Sequence, residues 1–332
     1  HCRLNALLRL LDDKEVLLAD GATATNLFTV GLPQGTPGEL WCVDHPHRVL
    51  ALHQQFVDAG SDIILTNSFS ANRFRLALHG LDKRVSELAR AAAELAREIA
   101  DRAGRTVVVA GSIGPTGETI VPIGNCSQTQ AEEAFEEQAL ALKQGGADVV
   151  WIETMYSEQE LAAAIAAAQH ADLPYVATMT FDANGRTMMG LTPEQAVINV
   201  KQHPTPPLAF GANCGMGPAQ LIDSIINIKR GVSERDVIIA KGNAGLPKMS
   251  MDLHVHYEAT ASVMADYACI ARDVGARIIG GCCGTTAQHI QAMAHALQTR
   301  PHGDAMDYAT IERLLGPMTV VAEQHPKRRR RR

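Results

Sequence analysis

Seven of the 332 residues are cysteine, and three of them stand in settings that suit chemistry better than packing. Cys214 lies in Gly211-Ala212-Asn213-Cys214-Gly215, and Cys282 and Cys283 are adjacent in Gly280-Gly281-Cys282-Cys283-Gly284-Thr285. A lone cysteine is ordinarily a small buried hydrophobe, which is the reading for Cys269 in its alanine-rich helix. Flanking glycines instead let the backbone approach a bound group closely and turn sharply. Three thiolates with a fourth position left open form a donor set for Zn2+, because soft sulfur selects that ion and tetrahedral geometry leaves one vertex free. Coordination deprotonates a thiol outright, and a site without histidine stays electron-rich, so the bound thiolate keeps its nucleophilicity. This favours alkyl transfer to sulfur over hydrolysis by zinc-bound water, and the sequence carries no His-Glu-x-x-His. Two other readings use the same residues. One is a vicinal Cys282–Cys283 redox pair, which leaves Cys214 without a role; the other is a non-catalytic thiol or metal carrier.

Such a site needs elements that bring positions 214 and 282–283 together. Apolar, largely β-branched runs occur at 16–20, 62–67, 106–111, 148–153, 175–180, 208–213, 237–241 and 276–281, as expected of strands covered on both faces. Helical periodicity lies between them, most clearly at 85–102, 130–145 and 158–169. Ser157 with Glu160 reads as a capping box, and Thr192-Pro193 places proline at a first helical position. Eight strands alternating with helices predict an α/β fold, a (β/α)8 TIM barrel, as a single domain over 1–300. A C-terminal extension follows over 301–332, helical near 308–315. The turn after the first run, Asp20-Gly21-Ala22-Thr23-Ala24-Thr25, lacks the glycine pattern of an open dinucleotide-binding sheet. In such a barrel functional residues gather at the C-terminal strand ends. Those ends carry Asp20-Gly21, Thr66-Asn67, Glu153-Thr154, Asn213-Cys214, Lys241-Gly242-Asn243 and Cys282-Cys283.

Composition narrows the class. Hydrophobic residues at 46% and charged residues at 20% are ordinary for a globular enzyme, and a net charge of −6 argues against a nucleic-acid binder. No apolar run approaches the roughly 18 residues that span a bilayer. The stretch from His1 to Asp20 is amphipathic and charged, unlike a secretory signal, so a cytoplasmic location is expected. Lys327 to Arg332 form a run of like charge that reads as a solvated terminus ahead of an arm for an anionic partner. Nothing in the sequence bars assembly into a homo-oligomer.

From Leu18-Ala19-Asp20-Gly21-Ala22 to the helix after Thr286, the chain resembles the homocysteine S-methyltransferases. The two cysteine motifs carry the likeness, with support from Val109-Ala110-Gly111-Ser112-Ile113-Gly114-Pro115 and Gly242-Asn243-Ala244-Gly245. The resemblance implies a TIM barrel in which Cys214, Cys282 and Cys283 bind zinc and homocysteine thiolate accepts a methyl group to give methionine. It implies an amino-acid head near Asp20-Gly21, with the Gly21 turn for the carboxylate and Glu153 for the ammonium; a barrel-end salt bridge is the plainer role for Glu153. Asn213, beside Cys214, joins the substrate-binding set. The chain is most similar to short bacterial betaine–homocysteine methyltransferases, which implies glycine betaine as donor. S-methylmethionine, a sulfonium such as dimethylsulfoniopropionate, or a methylated folate are the alternatives. An onium donor suits aromatic faces, and Phe28, Trp41 and Phe69 fall after the first two strands, where ordinary loop packing competes with a cage. Ser70 and Thr154 stand where betaine enzymes are expected to carry aromatics. His254 and His256 alternate along an extended segment and read as loop polar groups ahead of a metal pair, with Tyr257 beside them a candidate to close the donor pocket.

Overall fold

Eight short strands, buried on both faces, build the scaffold. In the computed structural model, which describes residues 5–251 and 255–318, the barrel strands are β1 (Leu17–Leu18), β2 (Ile63–Leu65), β3 (Val108–Ile113), β4 (Val149–Met155), β5 (Tyr175–Met179), β6 (Phe210–Cys214), β7 (Ile238–Gly242) and β8 (Ala276–Gly281). All ladders are parallel, in the order β1-β8-β7-β6-β5-β4-β3-β2. This is the expected (β/α)8 TIM barrel. One alternating set, Leu17, Ile63, Val108, Ala110, Val149, Trp151, Val176, Ile239 and Ile278, packs into one cluster inside the barrel. The other set, including Leu18, Ile64, Val109, Val150, Ile152, Ala177 and Ile279, packs outward against the helices.

The seam between β1 and β2 is closed mostly by side chains. Asp62 N–H donates to Leu18 O at 2.6 Å, and the Asp62 carboxylate accepts the Leu18 N–H at 2.9 Å. Higher up, the Asp20 carboxylate accepts Leu65 N–H at 2.9 Å. Strands this short leave backbone donors that must find partners, and acidic side chains supply them. Helix Ala6–Asp13 covers the base of the barrel, with Leu7, Leu10 and Leu11 joining the interior cluster. Asn5 caps it and also donates to Asp148 O at 2.9 Å, tying the helix to the start of β4.

The strongly periodic helices form over Val85–Asp101, Gln128–Gln144 and Glu158–His170. At Glu158–His170 only half of the expected capping box exists. Ser157 Oγ accepts the Glu160 N–H, but the Glu160 carboxylate turns away to the N–H of Thr116 at 2.7 Å. Complete boxes occur at Ser127–Gln130, Thr192–Gln195 and Thr286–His289. An antiparallel pair, Pro247–Met249 with Val255–Tyr257, follows β7; the second strand lies in the segment whose alternation reads as extended, while the first carries no such pattern. Helix Tyr308–Leu315 packs Ile311 and Leu315 into the main core. Among the described residues no helix is long and apolar enough to cross a membrane. Lys327–Arg332 and His254 lie outside the described residues.

Candidate active site

The alternation that fills the barrel with Val108, Ala110, Val149, Trp151 and Ile239 continues upward as Ser112, Glu153 and Lys241. The top interior layer is therefore polar, and it floors a cavity of about 480 Å³ at the C-terminal strand ends. Register brings the cysteines here. Gly242 pairs with Cys214 on one side and with Gly281 on the other, so the ends of β6 and β8 flank β7 at one level. The Cys214, Cys282 and Cys283 sulfurs all lie within 4.8 Å of one another and face the cavity.

Two asparagines hold that arrangement. Asn243 donates to Gly215 O at 3.0 Å and accepts the Cys283 N–H at 3.0 Å, joining the turns after β6 and β8. Asn213 is fully buried. Its Oδ1 accepts from Thr154 N at 2.9 Å and from Thr178 Oγ1 at 2.8 Å, while Nδ2 donates to Thr154 Oγ1 at 2.9 Å and toward Cys282 Sγ at 3.8 Å. Both Thr154 and Cys214 sit in the left-handed region, at φ +63° and +60°. For a β-branched residue that is a genuine outlier, and the Asn213 amide, clasping Thr154 at both its N–H and its hydroxyl, is what over-determines it.

The sulfurs share charge unevenly. Hydrogen bonds from Cys282 and Cys283, with help from Asn243, hold the Cys214 thiol well below the usual range, while the same contacts push the Cys283 thiol up. One thiolate suppresses the ionisation of its neighbours, so only a cation would let all three serve as anions. A tetrahedral zinc with bonds of about 2.3 Å calls for sulfurs about 3.8 Å apart, within the observed 4.8 Å limit. The donor set fits the ion.

Lys241, at 3% exposure, meets Asp20, at 1%, across 3.0 Å, and also donates to Gly281 O at 2.8 Å. Burial works against the lysine charge, but Asp20, Cys282 and Glu153 outweigh it and hold the ammonium charged. Glu153 accepts from Ser112 Oγ at 3.2 Å; burial raises its pKa to about 8 against the pull of Lys241. Asp20 thus belongs to the seam and to Lys241 more than to the cavity surface. Gly21 does line the cavity, and its N–H has no acceptor among the described residues. A Cβ there would come 2.6 Å from Thr285 O and 2.9 Å from the Phe56 ring, so the approach requires glycine.

The structure gathers some of the proposed donor residues and not others. Phe69 and Phe28 line the cavity. Trp41 does not; it is 4% exposed, with the Arg48 guanidinium 4.7 Å from its ring centroid and His45 at its edge. It faces the 46–59 helix because Arg48 and His45 supply its partners there. Tyr257 lies over Gly284, close to the Cys283 thiol, whereas His256 is exposed and faces Glu258 at 3.6 Å. Lys241, Asn243 and Ser112 are the residues that sequence reasoning left unassigned. Strand alternation upward from the apolar interior was the available signal for Lys241 and Ser112.

Comparison with known proteins agrees with this arrangement. The family model described as homocysteine S-methyltransferase matches residues 17–297. Among solved structures, the homocysteine methyltransferase MmuM from Escherichia coli in its metallated form is 25% identical, with 88% of this chain and 99% of that chain covered and a TM-score of 0.73. The oxidized form of that protein gives 26% identity, the same coverage and a TM-score of 0.72. With a model match that spans the barrel and includes all three cysteines, the chain belongs to the homocysteine S-methyltransferase family.

Proposed function

We propose that this enzyme, which methylates homocysteine, does so with the substrate thiolate on a zinc ion held by Cys214, Cys282 and Cys283, taking the methyl from glycine betaine or a related onium donor. The observation that carries the reading is the convergence of three sulfurs, a buried acid–lysine layer and two aromatic rings on one cavity. When bound, zinc would deprotonate the homocysteine thiol and fix it on the cavity floor. In this reading Glu153 pairs with the substrate ammonium, and its charge, disfavoured by burial, is favoured once that cation arrives. The Gly21 N–H and the Lys241 ammonium offer a positive pole for the substrate carboxylate. In the transfer a sulfur–carbon bond forms while the donor's onium–carbon bond breaks, and the donor leaves with the electron pair of that bond as a neutral amine or thioether. Anion and cation disappear together, so a site that excludes water favours the transition state over the separated charges. Phe28 and Phe69 supply apolar faces for the onium group.

A sulfonium donor such as S-methylmethionine is the second reading, supported by one observation: among the described residues the cavity is lined by no Tyr or Trp and by Phe28 and Phe69 alone of the phenylalanines, with Ser70 and Thr154 beside them and Trp41 turned away. The deciding experiment is a donor screen against homocysteine, with methionine read by mass and zinc measured in the same protein. Full activity in metal-free protein would overturn the zinc assignment; activity with methylfolate alone would overturn the onium donor.

A further inference from the structure

The cavity has a second charged pole, at its mouth, built from the loops after β1, β2 and β3. Glu39, in the short helical turn Gly38–Leu40, is 6% exposed and lines the cavity. One of its oxygens accepts the Ser70 N–H at 2.8 Å; the other makes no hydrogen bond among the described residues. Arg75, on helix Arg73–Ala77, also lines the cavity, and its guanidinium has no hydrogen bond or ion pair among the described residues. Arg75 lies against Gly117, where an added Cβ would approach the guanidinium to 3.0 Å, so a glycine at φ +81° leaves it room. His79 completes the rim.

Glu39 is a buried carboxylate with a spare oxygen, whose charge burial disfavours and Arg75 and His79 support, while Arg75 is exposed at the mouth with its guanidinium unpaired among the described residues on the same cavity wall. Neither is needed by the cysteine cluster or by the Glu153–Lys241–Asp20 layer. We propose that Glu39 and Arg75 form the recognition site for a zwitterionic methyl donor, Arg75 taking the donor carboxylate and Glu39 facing its onium charge. The inference rests on the methyl-transfer reading above and names the class of donor: a small molecule with a cation and a carboxylate, rather than a carboxylate-free onium such as choline. Specificity then comes from paired charges at the mouth, which offsets the scarcity of aromatic residues. An arginine fork suits a carboxylate in two-point contact.

The test uses the full-length zinc-loaded protein with glycine betaine, S-methylmethionine, dimethylsulfoniopropionate and choline, at saturating homocysteine. Arg75→Met is expected to raise the KM for the carboxylated donors by about tenfold or more, as for loss of a charged hydrogen bond, while the homocysteine KM moves by less than about twofold. Glu39→Gln keeps an oxygen for the Ser70 N–H and removes only the charge. It is expected to weaken donor binding comparably, and circular dichroism reports whether the loop and fold survive. Donor binding without homocysteine, followed by calorimetry, gives a readout independent of turnover. Methionine production with unchanged donor KM in both variants would overturn this inference alone. So would wild-type protein that uses choline as well as betaine. No binding and no turnover with any onium donor would overturn the donor reading and this inference together.

Discussion

Cys214 holds the left-handed region at φ +60°, flanked by Gly215 at φ +78°. A residue with a side chain occupies that region at a cost of about 1–3 kcal/mol, so its sulfur is aimed at the expense of backbone strain. Replacement by glycine should relieve the strain that replacement by alanine retains. Cys214→Gly is therefore expected to be more stable than Cys214→Ala by about 1 kcal/mol in urea unfolding, while both lose bound metal and methionine formation. Equal stability of the two would remove strain from the account; wild-type turnover in either would remove the sulfur. Glu153 calls for a different measurement. Its proposed partner, the substrate ammonium, is present in ground and transition states alike, which is uniform binding. Glu153→Gln should raise the homocysteine KM by about tenfold and lower kcat less. A collapse of kcat at unchanged KM would place Glu153 in the chemical step instead.

Between strand and helix, Glu160 shows how a cap is diverted to position a loop. It belongs to helix Glu158–His170, yet its carboxylate accepts from the Thr116 N–H and so anchors the loop after β3 that carries Gly117 and leaves room for Arg75. Burial raises its pKa to about 7 against the pull of the Thr116 hydrogen bonds. The folded state therefore keeps a proton that the unfolded chain gives up near pH 4.5, and stability falls as pH rises from there through about 7. Glu160→Gln removes that ionisation while keeping an acceptor for Thr116. The variant should gain on the wild type as pH is raised from 5 to 8, by up to about 3 kcal/mol. Urea midpoints at the two pH values measure this, and a constant difference across the range would show that Glu160 does not titrate there.

For the molecule as a whole, the barrel closes without help from the sulfurs. Its interior cluster lies below the polar layer, its helix-facing cluster outside the strands, and its seam is held by Asp62 and Asp20. A metal bound at the top stabilises the fold only by its own binding free energy. Treatment with a chelator should abolish methionine formation and lower Tm by a few degrees, with far-UV circular dichroism unchanged, and restored zinc should return both. Loss of secondary structure on chelation would make the metal part of the fold.

Eight apolar runs at the right spacing determined eight strands, because residues buried on both faces must be apolar wherever they sit in the chain. In a barrel wound in chain order the sixth and eighth strands flank the seventh, which puts the ends carrying 214 and 282–283 on one part of the rim. The cavity-lining roles of Glu39 and Arg75 were not legible, since helical segments of three and five residues are too short to show a period. Trp41 could not be placed for the same reason: a loop aromatic after β1 can face the cavity or the helices, and Arg48 and His45 on the helix side decided it. Lys241 was visible at a strand end, but its pairing with Asp20 depends on β8 lying between β7 and β1. Composition and periodicity determine which residues must be buried and in what order the strand ends meet. The tertiary structure alone decides which buried charges face one another, because those partners come from elements far apart in the chain.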